Sequence, residues 1–177
     1  EGEPKRPVNW YAGKQYDDCF SAAHAVLDDF ATEFPQYADR GYEIAGFVWW
    51  QGHKDGGSAA HAGRYEQNLV HLIKTLRSEF KAPNAPFVIA TIGFGGWEMS
   101  GRHLAIAKAQ LAVSGDDAKY PEFAGNVRTV EIRDFWRPPA LSPRNQDFHY
   151  NGNAETYMLV GDALGRGMVE LLRRAKK

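Results

Sequence analysis

The residues best suited to chemistry lie near the end of the chain, in the run Gln146-Asp147-Phe148-His149-Tyr150-Asn151. An aspartate two residues before a histidine can orient the imidazole and stabilise its positive charge. The histidine then acts first as a general base and later as a general acid. Aspartate and histidine are also common in loops, where Asp147 would shape a turn and His149 would only pack. Taken alone, the pair favours this second interpretation.

A second candidate follows the first strongly apolar run of the chain, where Gln51 and Gly52 come directly after Trp49 and Trp50. A side-chain amide at the end of a strand can donate a hydrogen bond to an oxyanion, and a small neighbour lets the substrate approach. The alternative is an ordinary change from an apolar strand to a polar loop. Without further context, this alternative is the favoured one.

Three further residues could ligate a metal ion: His53, Asp55 and His61. Their spacing fits no established ligand template, and both histidines lie in a glycine-rich stretch. Metal binding is therefore the weaker interpretation, and we predict no cofactor. Four tryptophans could form a wall on which sugar rings stack, or lie partly in the core, as large aromatics often do. They are Trp49, Trp50, Trp97 and Trp136.

Neither a phosphate-binding loop nor a serine nucleophile can be recognised in the sequence. The run Gly93-Phe94-Gly95-Gly96 lacks the lysine and hydroxyl residue of a P-loop and the spacing of a dinucleotide fingerprint. Ser58 and Ser100 are the serines nearest the expected site, and neither lies in a Gly-x-Ser-x-Gly turn.

The elements that must position these residues alternate in the order α-β-α-β-α-β-α, which predicts an α/β fold with a parallel sheet and right-handed crossovers. Ligands of such sheets collect beyond the carboxyl ends of the strands, so the loops after all three strands should face one crevice. We predict one domain over residues 1–177, with residues 1–16 as an extended arm. Apolar periodicity predicts helices over 17–34, 60–80, 101–113 and about 153–174, and strands over 42–50, 86–92 and 126–132.

Composition excludes several classes of function. The formal net charge is -1, which gives no electrostatic footprint for nucleic acid or an anionic membrane. No stretch of the sequence is long and apolar enough to predict a membrane span. The single cysteine, Cys19, precludes an internal disulfide, and its apolar helical surroundings predict that it is buried.

Three strands make an unusually small parallel sheet, and the chain enters this sheet through a helix. We therefore expect that one or more N-terminal strands are missing from these 177 residues. Three strands in a self-sufficient layered monomer with no unpaired edge would count against this expectation.

Taken together, several motifs resemble the sialate O-acetylesterase-like proteins, carbohydrate acetylesterases of the SGNH hydrolase superfamily. The most specific is the run 46–55, Gly-Phe-Val-Trp-Trp-Gln-Gly-His-Lys-Asp, which is similar to the family's Gly-Val-x-Trp-Tyr-Gln-Gly-Glu-x-Asp block. The helix from Tyr65, the strand from Pro86 and the Asp-x-His run before the closing helix support it by their order. The resemblance runs from about residue 17 to the C-terminus.

This resemblance implies a three-layer α/β/α sandwich, flavodoxin-like in layout, that hydrolyses O-acetyl esters on sugars through a covalent acyl-enzyme without a metal. It makes His149 the base, Asp147 its partner and Gln51 an oxyanion-hole donor. It favours a secreted or periplasmic location, which the sequence itself leaves open. The same block would bring three neighbours of Gln51 to the substrate: Trp50, Gly52 and His53.

The chain departs from the family pattern in two respects. The family's nucleophile lies in an early Gly-Gln-Ser-Asn-like turn, which does not occur here, and His53 stands where many relatives carry glutamate. We therefore expect an acetylated-carbohydrate esterase whose serine comes from an absent N-terminal segment of the same protein, or from another copy. This chain alone would then be inactive. The alternative is a non-catalytic carbohydrate-binding fragment or pseudoenzyme, and a metal hydrolase that uses His53, Asp55 and His61 is a weaker third hypothesis.

Overall fold

The structure, a computed structural model, describes residues 11, 13–117 and 119–175. Backbone proximity divides the chain into two compact units, Glu1–Glu43 and Ile44–Lys177, which are described separately. Most of the arm predicted over residues 1–16 lies outside the described residues. No helix in the described part of the chain is long and apolar enough to cross a membrane.

In the first unit, the helix predicted over residues 17–34 is divided into α1 (Lys14–Asp28) and α2 (Phe30–Glu33). The backbone at Asp29 leaves the helical region, with φ -106° and ψ 28°, so the apolar periodicity continues across a break that it cannot reveal. Neither helix has a buried residue, and the prediction that Cys19 is buried is wrong.

The second unit contains a parallel sheet of three strands in the order β1 (Phe47–Trp49), β2 (Phe87–Ala90) and β3 (Val127–Val130). The parallel pairing confirms the predicted sheet, although each strand is shorter than its apolar run. The register places Phe47 beside Phe87, and Phe87 beside Val127. Consequently the carboxyl ends of the three strands lie at the same edge of the sheet, where the candidate residues were expected.

Helices cover the two faces of the sheet and complete the three-layer sandwich that was predicted. Two helices, α3 (Ala59–Glu79) and α4 (Gly101–Ala112), pack on one face, and α5 (Ala154–Ala175) packs on the other. Successive residues of the central strand β2 point to opposite layers. The α3–α4 core includes Phe87 and Ile89, and the α5 core includes Val88 and Ala90.

The near-continuous apolar run around β1 is typical of a strand buried on both faces, but this interpretation is wrong, because the side chain of Val48 is 56% exposed. β1 is an edge strand, and α5 packs mainly on β2 and β3. In α5 the apolar spacing Tyr157, Val160 and Leu164 predicts that Tyr157 is buried, but Tyr157 is exposed and Thr156 is buried instead. The apolar pattern identified these elements, but the neighbours that are actually present determine which faces are buried.

A buried arginine ties α3 to the starts of the two strands that follow it. Arg77 donates to the backbone carbonyl of Ala85 through Nε at 3.0 Å and Nη2 at 2.8 Å. Nη2 also donates to the carbonyl oxygen of Asn126 at 3.1 Å and to its side-chain oxygen at 2.8 Å. Arg77 thus fixes the bottom of the sheet, opposite the edge that carries the candidate residues.

Replacing Arg77 should destabilise the fold, because an apolar side chain leaves these buried acceptors unpaired. We expect Arg77→Met to lower the free energy of unfolding by about 3 kcal/mol. The matched control is Arg166→Met on the exposed surface of α5, which should change it by less than about 0.5 kcal/mol. Chemical denaturation followed by circular dichroism measures both. Equal effects of the two substitutions would contradict this role.

Candidate functional site

The loops that leave the three strands fold into short 3-10 turns at the carboxyl edge of the sheet. Asp55–Gly57 follows β1 and Gly96–Glu98 follows β2. The longer connection after β3 includes the turn Asp147–Gly152 and leads directly into α5. These are the segments in which the sequence concentrates its polar candidates, and this edge is where ligands of parallel sheets bind.

The backbone of Gln51 is fixed by two side chains from the helices that cover the sheet. Its carbonyl accepts hydrogen bonds from Tyr65 Oη at 2.7 Å and from Gln110 Nε2 at 2.8 Å. Gln110 Nε2 also donates to Tyr65 Oη at 3.0 Å, and Gln110 Oε1 accepts from the backbone N–H of Ile92 at 2.8 Å. Burial raises the pKa of Tyr65 to about 12, so this phenol stays neutral and keeps its proton for Gln51.

The side-chain amide of Gln51 is oriented by the loop that follows it. Gln51 Nε2 donates to Asp55 Oδ2 at 2.7 Å, and this leaves the second N–H of the amide for a ligand. Arg102 donates from Nε to the carbonyl of Gly56 at 2.7 Å, so α4 holds the loop that carries Asp55. The amide is therefore preorganised to donate, which is what an oxyanion site requires.

Gly52 is buried, and its backbone has a φ of 150°, an angle that residues with a side chain rarely adopt. A Cβ atom here would lie 2.9 Å from Ile106 Cγ2 and 3.0 Å from Ile92 Cγ2. Only glycine fits between the loop and the core at this point. The predicted small neighbour of Gln51 is thus required by the packing beneath it.

Trp50 and Tyr150 join the first loop to the last one. Trp50 Nε1 donates to Tyr150 Oη at 3.1 Å, and the backbone N–H of Gly93 donates to the same oxygen at 3.3 Å. The two rings also pack, with centroids 4.9 Å apart. Burial raises the pKa of Tyr150, so the phenol is neutral and can accept both bonds. Trp50 therefore has a bracing role in the wall of the site.

His53 lies at the meeting point of three loops. Its ring stacks on His103 at 5.3 Å, meets the ring of Phe94 edge-on at 4.9 Å and lies 5.7 Å from the ring of Phe148. Burial lowers the pKa of His53, and the charges of His103 and His149 lower it further. Asp147 acts in the opposite direction but does not reverse the shift. His53 is therefore neutral at neutral pH.

The turn that carries Asp147 and His149 is held from inside by Asn151, which is fully buried. The side chain of Asn151 accepts from the backbone N–H of Gln146 at 2.8 Å and donates to the carbonyl of Arg137 at 2.9 Å. Tyr150 and Asn151 adopt left-handed backbone angles, with φ 48° and 55°. Such conformations cost about 1–3 kcal/mol each and persist only where the surroundings impose them.

The side chains of Asp147, Phe148 and His149 are all exposed at the edge of the site. Neither a hydrogen bond nor an ion pair between Asp147 and His149 occurs in the structure, although both residues are among those described. Both nevertheless act electrostatically on His53, so the turn that carries them lies near its ring. The catalytic roles of Asp147 and His149 stay predictions.

The other candidates from the sequence are not assembled into a site. Within the described ranges, no three His, Cys, Asp or Glu side chains are positioned to hold one metal ion, which includes the set His53, Asp55 and His61. Ser58 caps α3 by accepting from the backbone N–H of His61 at 3.4 Å. No described serine is hydrogen-bonded to His149.

Sequence reasoning overlooked the residues that support the site from below. Gln110 is fully buried within the apolar stripe of α4, between Ile106 and Val113. A glutamine at a core position of a helix was the available signal, because a buried amide must find partners. Asp55 was considered only as a metal ligand, whereas here it orients Gln51.

Comparison with known proteins gives the family. A family model described as carbohydrate esterase, sialic acid-specific acetylesterase, matches residues 7–138. The chain belongs to this family. The match confirms the resemblance seen in the sequence. It includes Gln51, Gly52 and His53 and ends before Asp147.

Other comparisons add information about the fold alone. No curated protein matches the chain. An X-ray structure of a protein from Arabidopsis thaliana is similar with a TM-score of 0.59 and 21% sequence identity. The similarity covers 87% of this chain and 51% of the Arabidopsis chain, so the present chain spans about half the length of that protein.

The packing around His53 predicts an unusual titration. We expect its pKa below the ordinary value of 6.5, and we expect His103→Gln to raise it, because that change removes both the covering ring and a neighbouring charge. The folded protein binds the proton less readily than the unfolded chain does. The stabilising contribution of neutral His53 is therefore present above pH 6.5 and is lost as the pH falls through the folded pKa.

Proton NMR of the imidazole Cε1–H across a pH titration measures this pKa. The control is His71→Gln, which replaces an exposed histidine of α3 and should leave the titration of His53 unchanged. A His53 that titrates at or above its ordinary value in the intact protein would refute the described packing.

Proposed function

We propose that this chain forms the base and oxyanion side of a serine-type carbohydrate O-acetyl esterase site. In this proposal His149 is the general base, Asp147 stabilises its charged form, and the side-chain amide of Gln51 donates to the oxyanion. Membership of a carbohydrate esterase family supports the class of reaction. The substrate is an acetyl ester on a sugar or polysaccharide.

The observation that carries the proposal is the meeting of two segments almost a hundred residues apart. The ring of Phe148, between Asp147 and His149, lies 5.7 Å from the ring of His53, two residues after Gln51. A base and an oxyanion donor must flank one carbonyl group, so they have to reach the same crevice from different strands. The contact between these loops supports that arrangement.

The reaction would proceed through an acyl-enzyme. A serine hydroxyl attacks the acetyl carbonyl while His149 takes its proton, and Gln51 with a backbone amide holds the oxygen that becomes negative. The tetrahedral intermediate collapses, and the proton on His149 passes to the departing sugar oxygen. Water then attacks the acetyl-serine with His149 as base again, which releases acetate and restores the serine.

Asp147 has no hydrogen bond to His149 in the structure. Catalytic hydrogen bonds are often long or absent before substrate binds and tighten only in the complex. Both side chains are exposed, so a small adjustment of the turn can bring the carboxylate to the imidazole. The buried Asn151 would keep that adjustment local, because it anchors the turn on either side.

The nucleophile in this proposal is a serine of an N-terminal segment outside these 177 residues. The Gly-Gln-Ser-Asn-like turn that carries it in the family does not occur in the sequence. In the described sheet β1 pairs with β2 on one side only, and Val48 on its surface is largely exposed. A parallel strand added beside β1 would end at the edge where Gln51 lies, so its following turn could present a serine to His149.

The direct test compares this chain with a longer form that includes the upstream segment. We expect the chain alone to be inert towards p-nitrophenyl acetate and the longer form to hydrolyse it. In the longer form His149→Ala should lower kcat by at least about 100-fold, because it removes the general base. The control His71→Ala changes an exposed histidine of α3 and should have no effect.

Other outcomes of this test would reject the assignment. Wild-type turnover by the His149→Ala form would exclude His149 as the base. Activity that a chelator abolishes would favour a metal hydrolase. Glycan binding without turnover in the longer form would favour a non-catalytic carbohydrate-binding protein.

Gln51 offers an independent test of the oxyanion role. Gln51→Ala removes a donor that strengthens its bond in the transition state, so we expect kcat to fall about 100- to 1,000-fold with little change in KM. Gln67→Ala, which removes an exposed glutamine of α3, is the matched control. Steady-state kinetics on an acetylated sugar decide the matter. A change in KM alone would instead make Gln51 a ground-state binding residue.

A further inference from the structure

One large aromatic side chain at the carboxyl edge of the sheet plays no part in the proposed chemistry. Trp97 lies in the turn Gly96–Glu98 after β2 and is 60% exposed. A lone exposed apolar side chain needs no explanation by itself. What distinguishes Trp97 is that its neighbours fix the ring although they leave much of it in solvent.

The indole is held at its edge and on one of its faces. Trp97 Nε1 donates to Asp134 Oδ1 at 2.5 Å. The guanidinium of Arg133 lies over the ring, with its central carbon 4.1 Å from the ring centroid, in a cation–π contact. One face of the indole is thus covered by Arg133, while the residue as a whole remains 60% exposed.

Arg133 is itself held in place by Glu131, the first residue after β3. Its Nε and Nη2 donate to the two carboxylate oxygens of Glu131 at 2.9 and 2.6 Å. Glu131 Oε1 also accepts from the hydroxyl of Thr91, which is fully buried at the end of β2. Burial alone would raise the pKa of Glu131, but these hydrogen bonds lower it overall, so the pair stays charged. The indole therefore rests on a rigid ion pair.

A fixed aromatic face is a favourable surface for a sugar ring. The apolar C–H face of a pyranose can stack on it, and little side-chain entropy is lost because the ring is already held in place. The carboxylate of Asp134 at the edge of the indole has acceptor sites beyond the one that Trp97 uses, and sugar hydroxyls can donate to them.

The charges around the ring indicate which kind of sugar fits. The positive charge of Arg133 is matched by Glu131, and that of Arg137 is matched by Glu155 at 2.8 Å. Asp134 and the exposed Glu98 then leave an excess of negative charge beside Trp97. A sugar that carries its own carboxylate would be repelled, whereas a neutral polyol would not.

We infer that Trp97 and Asp134 form a subsite for a neutral pyranose ring of the glycan whose ester is cleaved at the neighbouring loops. The inference rests on the proposed function for the identity of the glycan as substrate. It extends that function by assigning an uncharged sugar to the loop after β2. A sialate residue, if present in the substrate, would therefore lie elsewhere along the crevice.

Binding can be measured without turnover, on the full chain labelled with ¹⁵N at its tryptophan indoles. Trp97→Phe identifies the Trp97 resonance by its loss. We expect methyl β-D-glucopyranoside to shift this resonance saturably in the millimolar range, and methyl α-sialoside to bind at least about tenfold more weakly. No saturable shift with the neutral glycoside, or equally tight binding of the sialoside, would overturn the inference.

Substitutions at Trp97 and at Asp134 test the contribution of the aromatic ring and that of the negative charge separately. Trp97→Ala should weaken binding of the neutral glycoside about tenfold, whereas Trp97→Phe, which keeps an aromatic face, should retain most of it. Asp134→Asn keeps an acceptor for the indole N–H but removes the negative charge, so the sialoside should gain affinity relative to the glucoside. Isothermal calorimetry measures these constants. An unchanged ratio in Asp134→Asn would refute selection by charge.

The outcome for the subsite can be told apart from the outcome for the esterase. Glycoside binding at Trp97 in a longer form that has no esterase activity would leave the subsite standing and reject the proposed function. Hydrolysis of a glycan acetyl ester with the same KM in Trp97→Ala as in wild type would support the proposed function and reject the subsite.

Discussion

The candidate site depends on the hydrogen bonds that Tyr65 and Gln110 make to the backbone carbonyl of Gln51. These two side chains come from different helices, so α3 and α4 are joined through a residue of the loop that follows β1. A buried carbonyl with two donors is fully satisfied, and the backbone that carries the side-chain amide cannot rotate away. Preorganised dipoles of this kind need no rearrangement when charge develops on a substrate oxygen, which is why they are effective in catalysis.

The other side of the crevice, the turn that carries His149, is held by buried residues in an uncommon backbone conformation. The turn that carries His149 contains two non-glycine residues in the left-handed region, Tyr150 and Asn151, and both are buried with their polar atoms paired. The strain at these positions is offset by the packing and hydrogen bonds inside the turn. Asp147 and His149 remain exposed as a result, so one wall is rigid throughout, whereas the other is rigid beneath and adjustable at its surface.

The sequence predicted the features that apolar periodicity determines, and it missed those that depend on which neighbours cover a side chain or on backbone geometry. The α/β order, the parallel sheet and the gathering of polar loops at one edge were predicted, because periodicity and strand alternation determine them. The exposure of Val48 and the break at Asp29 were not, since one depends on which helix covers β1 and the other on backbone geometry. Gln51 was recognised from its place after a strand, but the support from Gln110 required the third dimension.

The electrostatics of the crevice favour a site that works with neutral donors. His53, two residues after Gln51, is kept neutral by burial and by neighbouring histidines, so it adds no fixed positive charge near the proposed oxyanion donor. A cation there would also attract acetate and other anions, which would compete with the ester for the crevice. In the proposed function, the proton is carried by the exposed His149 rather than by His53. In the proposed function, neutral donors on the oxyanion side suit acyl transfer from an uncharged ester.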